Sequence, residues 1–426
     1  MRLVLTVIGL AAVLGVATLG SPPVGGAPGT AVEVSVDPVR QPVVCPGPLT
    51  VPAGSIISGD EELDSGSTDV VLDVIPDGES IGAGTAVDAE QAVSLERIGS
   101  GDIAGLAGAA CTAPEQEQWL VGGSTTSGSS ARLVLANPTA GAVRATIDLH
   151  GPLGASADPL SVLLAPYAQE DVLLESVALA VESFAVRVRA PGTGVVAALQ
   201  DSRLDGFTAA GTDWVSPSSP ATDLIVPVTG PATDDAVATL SLVAPDGADA
   251  TLTLLGADGP LPWLGDDALT LEPGEVTDVQ VPAGGLQAVR VEASSPVVGG
   301  AVVRIAREAP VAGATAYDHA WTGGQATTDE RERAAVVPSG AVQLVVASAG
   351  GGTFTADAAG EPVAVDVPAS GMASLALDLA PGTVISSSQP FAWALLVTDA
   401  ASGFATTIEP VSTELEPTVL EAVVAP

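Results

Sequence analysis

An offset of 107 residues recurs along this chain. Five residues each meet a similar or identical residue 107 positions later, pairing Leu133 with Leu240, Pro138 with Pro245, Val143 with Ala250, Pro166 with Pro273 and Val172 with Val279. Trp214 meets Trp321 at the same offset. A third, shorter copy follows, marked by Leu344, Phe354, Gly360, Pro368, Val384 and Pro390. The chain must therefore adopt a fold that one unit can build three times and stack against itself.

Composition decides what that unit is made of. Ala and Val dominate the apolar residues, aromatics are only 3%, and Gly 48 and Pro 34 punctuate the chain. Small and β-branched residues interrupted by turn residues predict short strands. Almost no stretch offers an apolar stripe at helical spacing that is free of Gly or Pro. We therefore predict an all-β protein.

The second copy shows the strands most clearly. We predict about seven, with Leu224–Val228 at a sheet edge because it contains Pro227. Val237–Val243 ends at the turn Pro245-Asp246-Gly247, and Ala250–Leu255 is predicted to return as its hairpin partner. The later strands are Leu269–Leu271, Val276–Val281, Leu286–Ala293 and Val297–Ile305.

Period-two alternation indicates antiparallel sheets with one polar face. In the first copy, Val143, Ala145, Ile147 and Leu149 alternate with Arg144, Thr146, Asp148 and His150. About seven short strands in a hundred residues are typical of immunoglobulin-like or fibronectin-like β-sandwiches. We predict tandem modules of this kind, joined into a rod in which each module touches mainly its neighbours.

The predicted organisation has six parts. They are a signal peptide or membrane anchor (1–27), an N-terminal β-rich region (28–113), three sandwich repeats (119–216, 217–322 and 330–412) and a flexible tail (413–426). Val32, Val34 and Val36 predict a strand at the start of the N-terminal region. Trp119, Trp214 and Trp321 each precede a Gly-, Ser- or Thr-rich stretch, so we expect them to pack at module junctions.

The N-terminus has the pattern of an export signal. Met1-Arg2 is followed by an apolar stretch from Leu3 to Leu19 and then by small residues and prolines. Cleavage after Gly20 or after Ala27 would fit, and an uncleaved anchor is the alternative. In an exported protein the two cysteines, Cys45 and Cys111, suggest a disulfide, with two free buried thiols as the alternative.

Charge excludes several classes of partner. The chain has 51 acidic and 13 basic residues, all of the latter Arg, for a net charge of −38. Phosphate backbones and anionic lipid surfaces would be repelled, so we expect no nucleic-acid partner. Membrane contact is expected only through the N-terminal segment, if it is not cleaved. We expect acidity of this size to keep strand edges from associating, with adaptation to high salt as the alternative.

Catalytic signals are absent from the sequence. The two histidines are placed on the solvent face of a strand (His150) and in a junction loop (His319), and there is no G-x-S-x-G motif. Acidic residues are too frequent for any pair to indicate glycoside hydrolysis. A P-loop is excluded because the chain has no lysine. We predict no catalytic, cofactor-binding or metal-binding residues, and no cofactor.

Two loops are weak candidates for ligand contact. Asp60, Glu62 and Asp64 alternate as in a calcium loop, but Gly66 comes one place late and the closing Glu is missing, which favours an ordinary acidic loop. Trp263, with Asp266 and Asp267 beside it, could offer a stacking platform to a sugar ring. The alternative is a tryptophan that covers the end of a sandwich.

The layout resembles an uncharacterised exported actinobacterial family, a domain-of-unknown-function group of secreted proteins. The signal segment, Cys45-Pro46-Gly47-Pro48, Trp119-Leu120-Val121-Gly122-Gly123 and the Leu-x-Leu strands at Leu133 and Leu240 carry the resemblance. It implies a location outside the cytoplasm and supplies no mechanism.

These observations favour a non-catalytic exported protein of the cell envelope that acts as a scaffold, spacer or binding module. A carbohydrate-binding protein of the cell wall and an accessory subunit of an envelope enzyme are the alternatives. The expected partner is an envelope protein or a cell-wall polysaccharide.

Overall fold

The structure is a computed structural model that describes residues 30–36, 41–50, 66–74, 79–88, 91–228, 230, 237–263, 265–281, 285–308, 315–412 and 418–424. The predicted signal or anchor segment lies outside these residues, as does the acidic stretch from Asp60 to Ser65. The all-β prediction is confirmed. Within the described residues the only helical segment is a 3₁₀ turn at Leu174–Ser176.

Among the residues that the structure describes, seven strands precede the first copy of the repeat. They are β1 (Thr30–Val36), β2 (Val43–Cys45), β3 (Gly66–Val74), β4 (Glu79–Ile81), β5 (Gly84–Val87), β6 (Ser94–Gly101) and β7 (Gly105–Ala110). Two antiparallel sheets result, in the orders β2-β5-β4 and β3-β6-β7. The predicted disulfide between Cys45 and Cys111 is present, with a Cα–Cα distance of 4.4 Å, and both residues are fully buried. It joins β2 to the end of β7.

The described residues of the repeated part form 28 strands. The first copy holds β8 (Glu117–Val121), β9 (Ser129–Asn137), β10 (Val143–Gly151), β11 (Gly154–Ala155), β12 (Leu160–Leu164), β13 (Ala168–Leu173), β14 (Ala185–Arg189), β15 (Val196–Asp205), β16 (Thr208–Val215) and β17 (Pro217–Ser218). The second holds β18 (Ala221–Val228), β19 (Val237–Val243), β20 (Ala248–Gly256), β21 (Gly259–Leu261), β22 (Ala268–Leu271), β23 (Val276–Val281), β24 (Gln287–Glu308), β25 (Thr315–Gly323) and β26 (Gln325–Ala326). The third holds β27 (Arg333–Val336), β28 (Ala341–Ser348), β29 (Gly352–Ala358), β30 (Glu361–Val367), β31 (Gly371–Leu377), β32 (Val384–Ser387), β33 (Ala392–Thr398), β34 (Ala405–Ile408) and β35 (Val411–Ser412).

All three copies pair their strands in the same way. One sheet has the order β12-β10-β14-β8-β17 in the first copy, β22-β20-β24-β18-β26 in the second and β30-β29-β32-β27-β35 in the third. The other sheet has the order β13-β9-β15-β16 in the first copy, β23-β19-β24-β25 in the second and β31-β28-β33-β34 in the third. The register also recurs, because Leu133 faces Val172, Leu240 faces Val279 and Leu344 faces Leu375. The 107-residue offset therefore reflects one pairing scheme, compatible with immunoglobulin-like sandwiches.

The alternation that predicted these sheets also sets their cores. Ala145, Ile147 and Leu149 are buried on β10, while Arg144 just before them is exposed. They pack with inward residues of the facing sheet, including Leu133 and Leu199. Each sandwich is thus closed by burying one face of two sheets, which is the arrangement that period-two patterning favours.

The predicted hairpin of the second copy is wrong. Strand β19 pairs with β23 and β24, whereas β20 pairs with β21, β22 and β24. The turn at Pro245–Gly247, in which Gly247 has φ +80°, carries the chain from one sheet to the other. Each strand then buries its apolar face against the same core from opposite sides, and a hairpin would leave one of the two sheets without a strand.

Strand β24 is a second difference from the prediction. Leu286–Ala293 and Val297–Ile305 were predicted as separate strands, but Gln287–Glu308 is continuous over 22 residues. Its first part pairs with β18 and β20, and its last part pairs with β19 and β25, so it belongs to both sheets of the second copy.

The copies do not form a rod. Strands β7, β16, β25 and β34, each at the edge of its own sheet, contact one another in a ring that we call the central junction. Thr406 of the third copy donates its hydroxyl to Asp213 of the first over 2.8 Å, so copies that are not neighbours in sequence touch directly. A rod would leave these edges in water, whereas the ring buries them.

The three junction tryptophans lie where the sequence predicted. Trp321 of the second copy is buried in the core of the first, Trp214 packs with Leu49 and Ile103 of the N-terminal region, and Trp119 packs with Val243 and Val298 of the second copy. However, Trp214 and Trp321 belong to the last long strands of their copies and not to linkers.

The chain ends form a separate unit. Strand β36 (Thr418–Val424) pairs with β1 along its whole length, from Thr30 opposite Val424 to Val36 opposite Thr418. The strand predicted at Val32–Val36 is thus present. The predicted tail is corrected over Thr418–Val424, where a β-branched segment forms a strand despite the acidic and proline residues that precede it.

The disulfide is expected to contribute strongly to stability. It closes a sequence separation of 66 residues, for which chain entropy predicts about 4 kcal/mol. We expect the double variant C45A/C111A to lose a large part of its unfolding free energy in urea denaturation. Alkylation of denatured, unreduced protein should label neither cysteine, and labelling of both would contradict the bond.

Gly211 tests the packing of the central junction. Its φ is +104°, and a Cβ there would lie 2.6 Å from the Asp318 carboxyl and 2.6 Å from the His319 ring. We expect Gly211→Ala to cost about 3 kcal/mol or more. Gly192→Ala is the matched control, because Gly192 has φ +73° but open space around it, and should cost about 1 kcal/mol. Equal losses in thermal denaturation would contradict the packing role.

Candidate functional site

A cleft of about 470 Å³ opens where the three copies meet the N-terminal region. The short last strands of the three copies, β17, β26 and β35, all line it. The other walls come from the long strands of the first copy, from the N-terminal region and from the segment between the second and third copies. Polar lining residues include Thr112, Glu115, Gln118, Gln169, Ser216, Ser219, Gln325, Asp329, Arg331, Arg333 and Glu409. The cleft thus combines apolar walls with polar groups, as ligand sites do.

Three buried carboxyls connect the copies beneath this cleft. We call Asp213, Asp318 and Glu409 the junction acids; each comes from a different copy. Asp213, Ala320 and Thr406 occupy equivalent positions on β16, β25 and β34. Each pairs with the corresponding residue of the long strand that precedes it in its own copy. Asp318 lies two residues before Ala320, and Glu409 lies three residues after Thr406.

Each junction acid accepts a backbone N–H from another copy. The amide of Trp321 donates to Asp213 Oδ2 over 2.9 Å, and the amide of Ala405 donates to Asp318 Oδ2 over 2.8 Å. The amide of Gly323 donates to Glu409 Oε1. The carboxyls therefore satisfy edge-strand donors that have no ladder partner at these positions.

Burial perturbs the acidity of all three carboxyls. Desolvation raises the pKa of Asp318 to about 6 and that of Glu409 to about 7, against the hydrogen bonds that favour ionisation. Desolvation also raises the pKa of Asp213 well above its usual range, and the nearby Asp318 carboxyl adds to the effect. Glu409 is the junction acid that lines the cleft.

A fourth buried carboxyl, Asp201, behaves in the opposite way. Burial alone would raise its pKa, but Arg203, His319 and Trp321 outweigh burial and hold the pKa of Asp201 below its usual range. Arg203 Nε lies 2.8 Å from Oδ2, Trp321 Nε1 donates to the same oxygen over 3.0 Å, and His319 Nε2 lies 3.3 Å away. Asp201 is thus a paired structural charge.

The lining of the cleft carries further ionisable groups. Arg331 forms two contacts of 2.9 Å with the Asp329 carboxylate. Arg333 is buried and donates to Gln325 Oε1 over 3.0 Å and to the Phe391 carbonyl. Glu115 keeps access to solvent, yet the cleft walls surround its carboxyl enough that desolvation raises its pKa, with Arg331 opposing the rise.

Both histidine placements are corrected. His150 is buried, not solvent-facing: its Nδ1 lies 3.0 Å from the Gly274 carbonyl and its ring stands 4.9 Å from that of Trp119. Burial lowers the pKa of His150. His319 lies inside β25 and not in a loop, and its Nδ1 is 3.0 Å from the Ala210 carbonyl. Contacts between copies bury both side chains, which a single-strand pattern cannot show.

The predicted ligand-contact residues share one loop, away from the cleft. Trp263 is half-buried and packs against the core of the second copy, while Asp266 and Asp267 are exposed. The Asp267 carbonyl accepts the amide of Leu252 over 2.7 Å. The alternative role of Trp263, covering the end of a sandwich, agrees with this packing.

Sequence reasoning missed the junction acids and Glu115. A signal existed for two of them, since Asp213 and Asp318 are charges inside apolar strands, next to Trp214 and two residues before Ala320. In the part of the chain that the structure describes, no group of three or more His, Cys, Asp or Glu side chains is placed to hold a metal ion. Those same residues contain no helix long and apolar enough to span a bilayer.

Comparison with known proteins gives one match. Residues 65–380 match a family of unknown function, DUF5719. No curated protein and no solved structure matches the chain. The match confirms the resemblance to a domain-of-unknown-function group and adds no activity.

The buried carboxyls predict an unusual pH dependence of stability. The unfolded chain releases the Glu409 proton near pH 4.5, whereas the folded protein keeps it to about pH 7. The folded state binds more protons between these values, so the free energy of unfolding falls as the pH rises through this window. At about 1.4 kcal/mol per pKa unit, Glu409 alone accounts for about 3 kcal/mol. Asp318 acts in the same direction.

Glu409→Gln should remove much of this dependence, because the amide keeps an acceptor for Gly323. We expect the variant to be more stable than the wild type at pH 8 and similar to it at pH 4.5 in chemical denaturation. Asp258→Asn, at an exposed turn, is the control and should follow the wild type. Identical pH profiles for the wild type and E409Q would show that Glu409 is not protonated in the fold.

Proposed function

Because the chain belongs to the family of unknown function DUF5719, which supplies no activity, we propose from the geometry that it is a non-catalytic, exported binding protein of the cell envelope. The observation that carries the proposal is the cleft at which all three copies and the disulfide-bonded region converge. A site to which every part of the repeat contributes is a natural place for one ligand or partner.

Location is part of the proposal. The apolar N-terminal segment and the disulfide both suit an oxidising compartment outside the cytoplasm. We extend the family resemblance to an exported, actinobacterial source, because an Ala-rich composition with Arg and no Lys suits the GC-rich genome of such a source. Sequencing the N-terminus of native protein after cell fractionation would test the location, because an intact Met1 in a cytoplasmic fraction would contradict it.

The structure supports some of the roles that the sequence left open better than others. A spacer needs reach along one direction, and the ring of edge strands argues against it. A binding module or scaffold agrees with the packed junctions. Catalysis by a histidine is disfavoured because His150 and His319 are both buried against backbone carbonyls. The ligand would be an envelope protein or a cell-wall polysaccharide.

Retention on purified cell wall and on solubilised envelope protein tests the proposal. Ser219 is exposed and lines the cleft, so Ser219→Trp should fill part of it. We expect retention to fall about tenfold, equivalent to about 1.4 kcal/mol of binding free energy. Ser156→Trp, at an exposed position outside the cleft lining, is the matched control and should bind as the wild type does.

Two outcomes would count against this proposal. Equal retention of both variants would remove the cleft as the binding site. Loss of polysaccharide retention on Trp263→Ala, with the fold intact by circular dichroism, would move the site to the loop at Trp263 and favour the carbohydrate-binding alternative.

A further inference from the structure

The central junction is held partly by hydrogen bonds that cross between the copies or join them to the N-terminal region. Asp213 Oδ1 accepts the Thr406 hydroxyl of the third copy, while Oδ2 accepts the Trp321 amide of the second. Thr406 Oγ1 also accepts the Gly108 amide of the N-terminal region over 2.9 Å. Four parts of the chain thus meet at one carboxyl.

The charged groups around each junction acid are unequal. Asp213 faces Asp318, a like charge when both ionise, pairs across the β15–β16 ladder with Asp201, and accepts hydroxyl and amide donors. Asp318 faces His319 and Arg307, which partly compensate it. Glu409 faces the Gly323 amide and the Ser216 hydroxyl. Asp201 nearby is already compensated by Arg203 and His319.

Ionisation would therefore leave a buried negative charge with little compensation at two of the three junction acids, Asp213 and Glu409. A protein relieves such charge by admitting water or by separating the elements that enclose it. The edges that would separate are those of β16, β25 and β34, and residues 214–220, 324–326 and 409–412, which continue from these strands, line the cleft.

We propose that the junction acids form a proton-operated latch between the three copies, closed when the carboxyls carry protons and loosened when they ionise. This inference rests on the proposed function in one respect only: loosening the junction would reshape the cleft and so regulate what it binds. The direction of the pKa shifts of all three acids agrees with it.

Tryptophan fluorescence can report the latch without any ligand. Trp119, Trp214 and Trp321 are buried at contacts between parts of the chain. We expect the acrylamide quenching constant of the wild type to rise about twofold from pH 5 to pH 8.5, with a parallel rise in the radius of gyration by X-ray scattering. Ordinary carboxyls are already ionised at pH 5, so they do not contribute.

Variants identify the groups responsible. The triple variant D213N/D318N/E409Q should keep low quenching through pH 8.5, and E409Q alone should reduce the rise. Asp258→Asn removes an exposed charge and should leave the wild-type response unchanged. If the triple variant does not fold, the wild type, E409Q and D258N still decide the matter.

Three results would overturn the latch. The first is a folded wild-type protein, by circular dichroism, whose quenching constant and radius of gyration stay constant with pH. The second is a rise in quenching for E409Q equal to that of the wild type. The third is a rise for D258N as small as that of E409Q. None of them bears on the retention assay, so the latch can fail while the cleft remains a binding site, and the reverse.

Discussion

The whole arrangement depends on how the edges of four sheets are satisfied. An edge strand presents N–H groups that have no ladder partner, and when the edge is buried those groups need acceptors. At the central junction, carboxyls of one copy accept amides of another, at Trp321, Ala405 and Gly323. The copies are therefore attached by hydrogen bonds to particular backbone atoms, in addition to apolar packing.

This solution costs stability at neutral pH. A carboxyl that accepts a backbone amide normally favours its ionised form, but here desolvation is the stronger effect. Apolar side chains would pack more cheaply, yet they could not accept an N–H. The acids instead specify which copy meets which, because each comes from a different copy: Asp213 and Glu409 meet two different amides of β25, and Asp318 meets an amide of β34.

Much of the fold was visible in the sequence because it is local or periodic. Alternation along β10, the repeated register at Leu133 and Leu240, the disulfide and the three junction tryptophans all follow from spacing and residue type. The hairpin between β19 and β20, the rod and the positions of His150 and His319 were wrong for one shared reason. Each depends on which strands meet across the sandwich or between copies, and a linear pattern carries no such information.

The candidate site was the least predictable part. The cleft is built from Glu115, Ser219, Arg333 and Glu409, which are far apart in sequence and ordinary in their local context. Only the charges at Asp213 and Asp318, placed inside apolar strands, indicated that something beyond sandwich packing was required. Recognising their role needs the third dimension, since the donors at Trp321, Ala405 and Thr406 lie in other copies.

The continuous strand β24 gives the middle copy a property its neighbours lack. In the first and third copies the two layers of the sandwich are linked through loops, between β14 and β15 and between β32 and β33. In the middle copy one backbone runs through both layers, held by ladders on each side. Neither layer can peel away while the other stays in place, so tension applied to this copy is borne in shear by two ladders at once. We therefore expect the second copy to resist shear better than the first and third copies, whose layers are joined by loops.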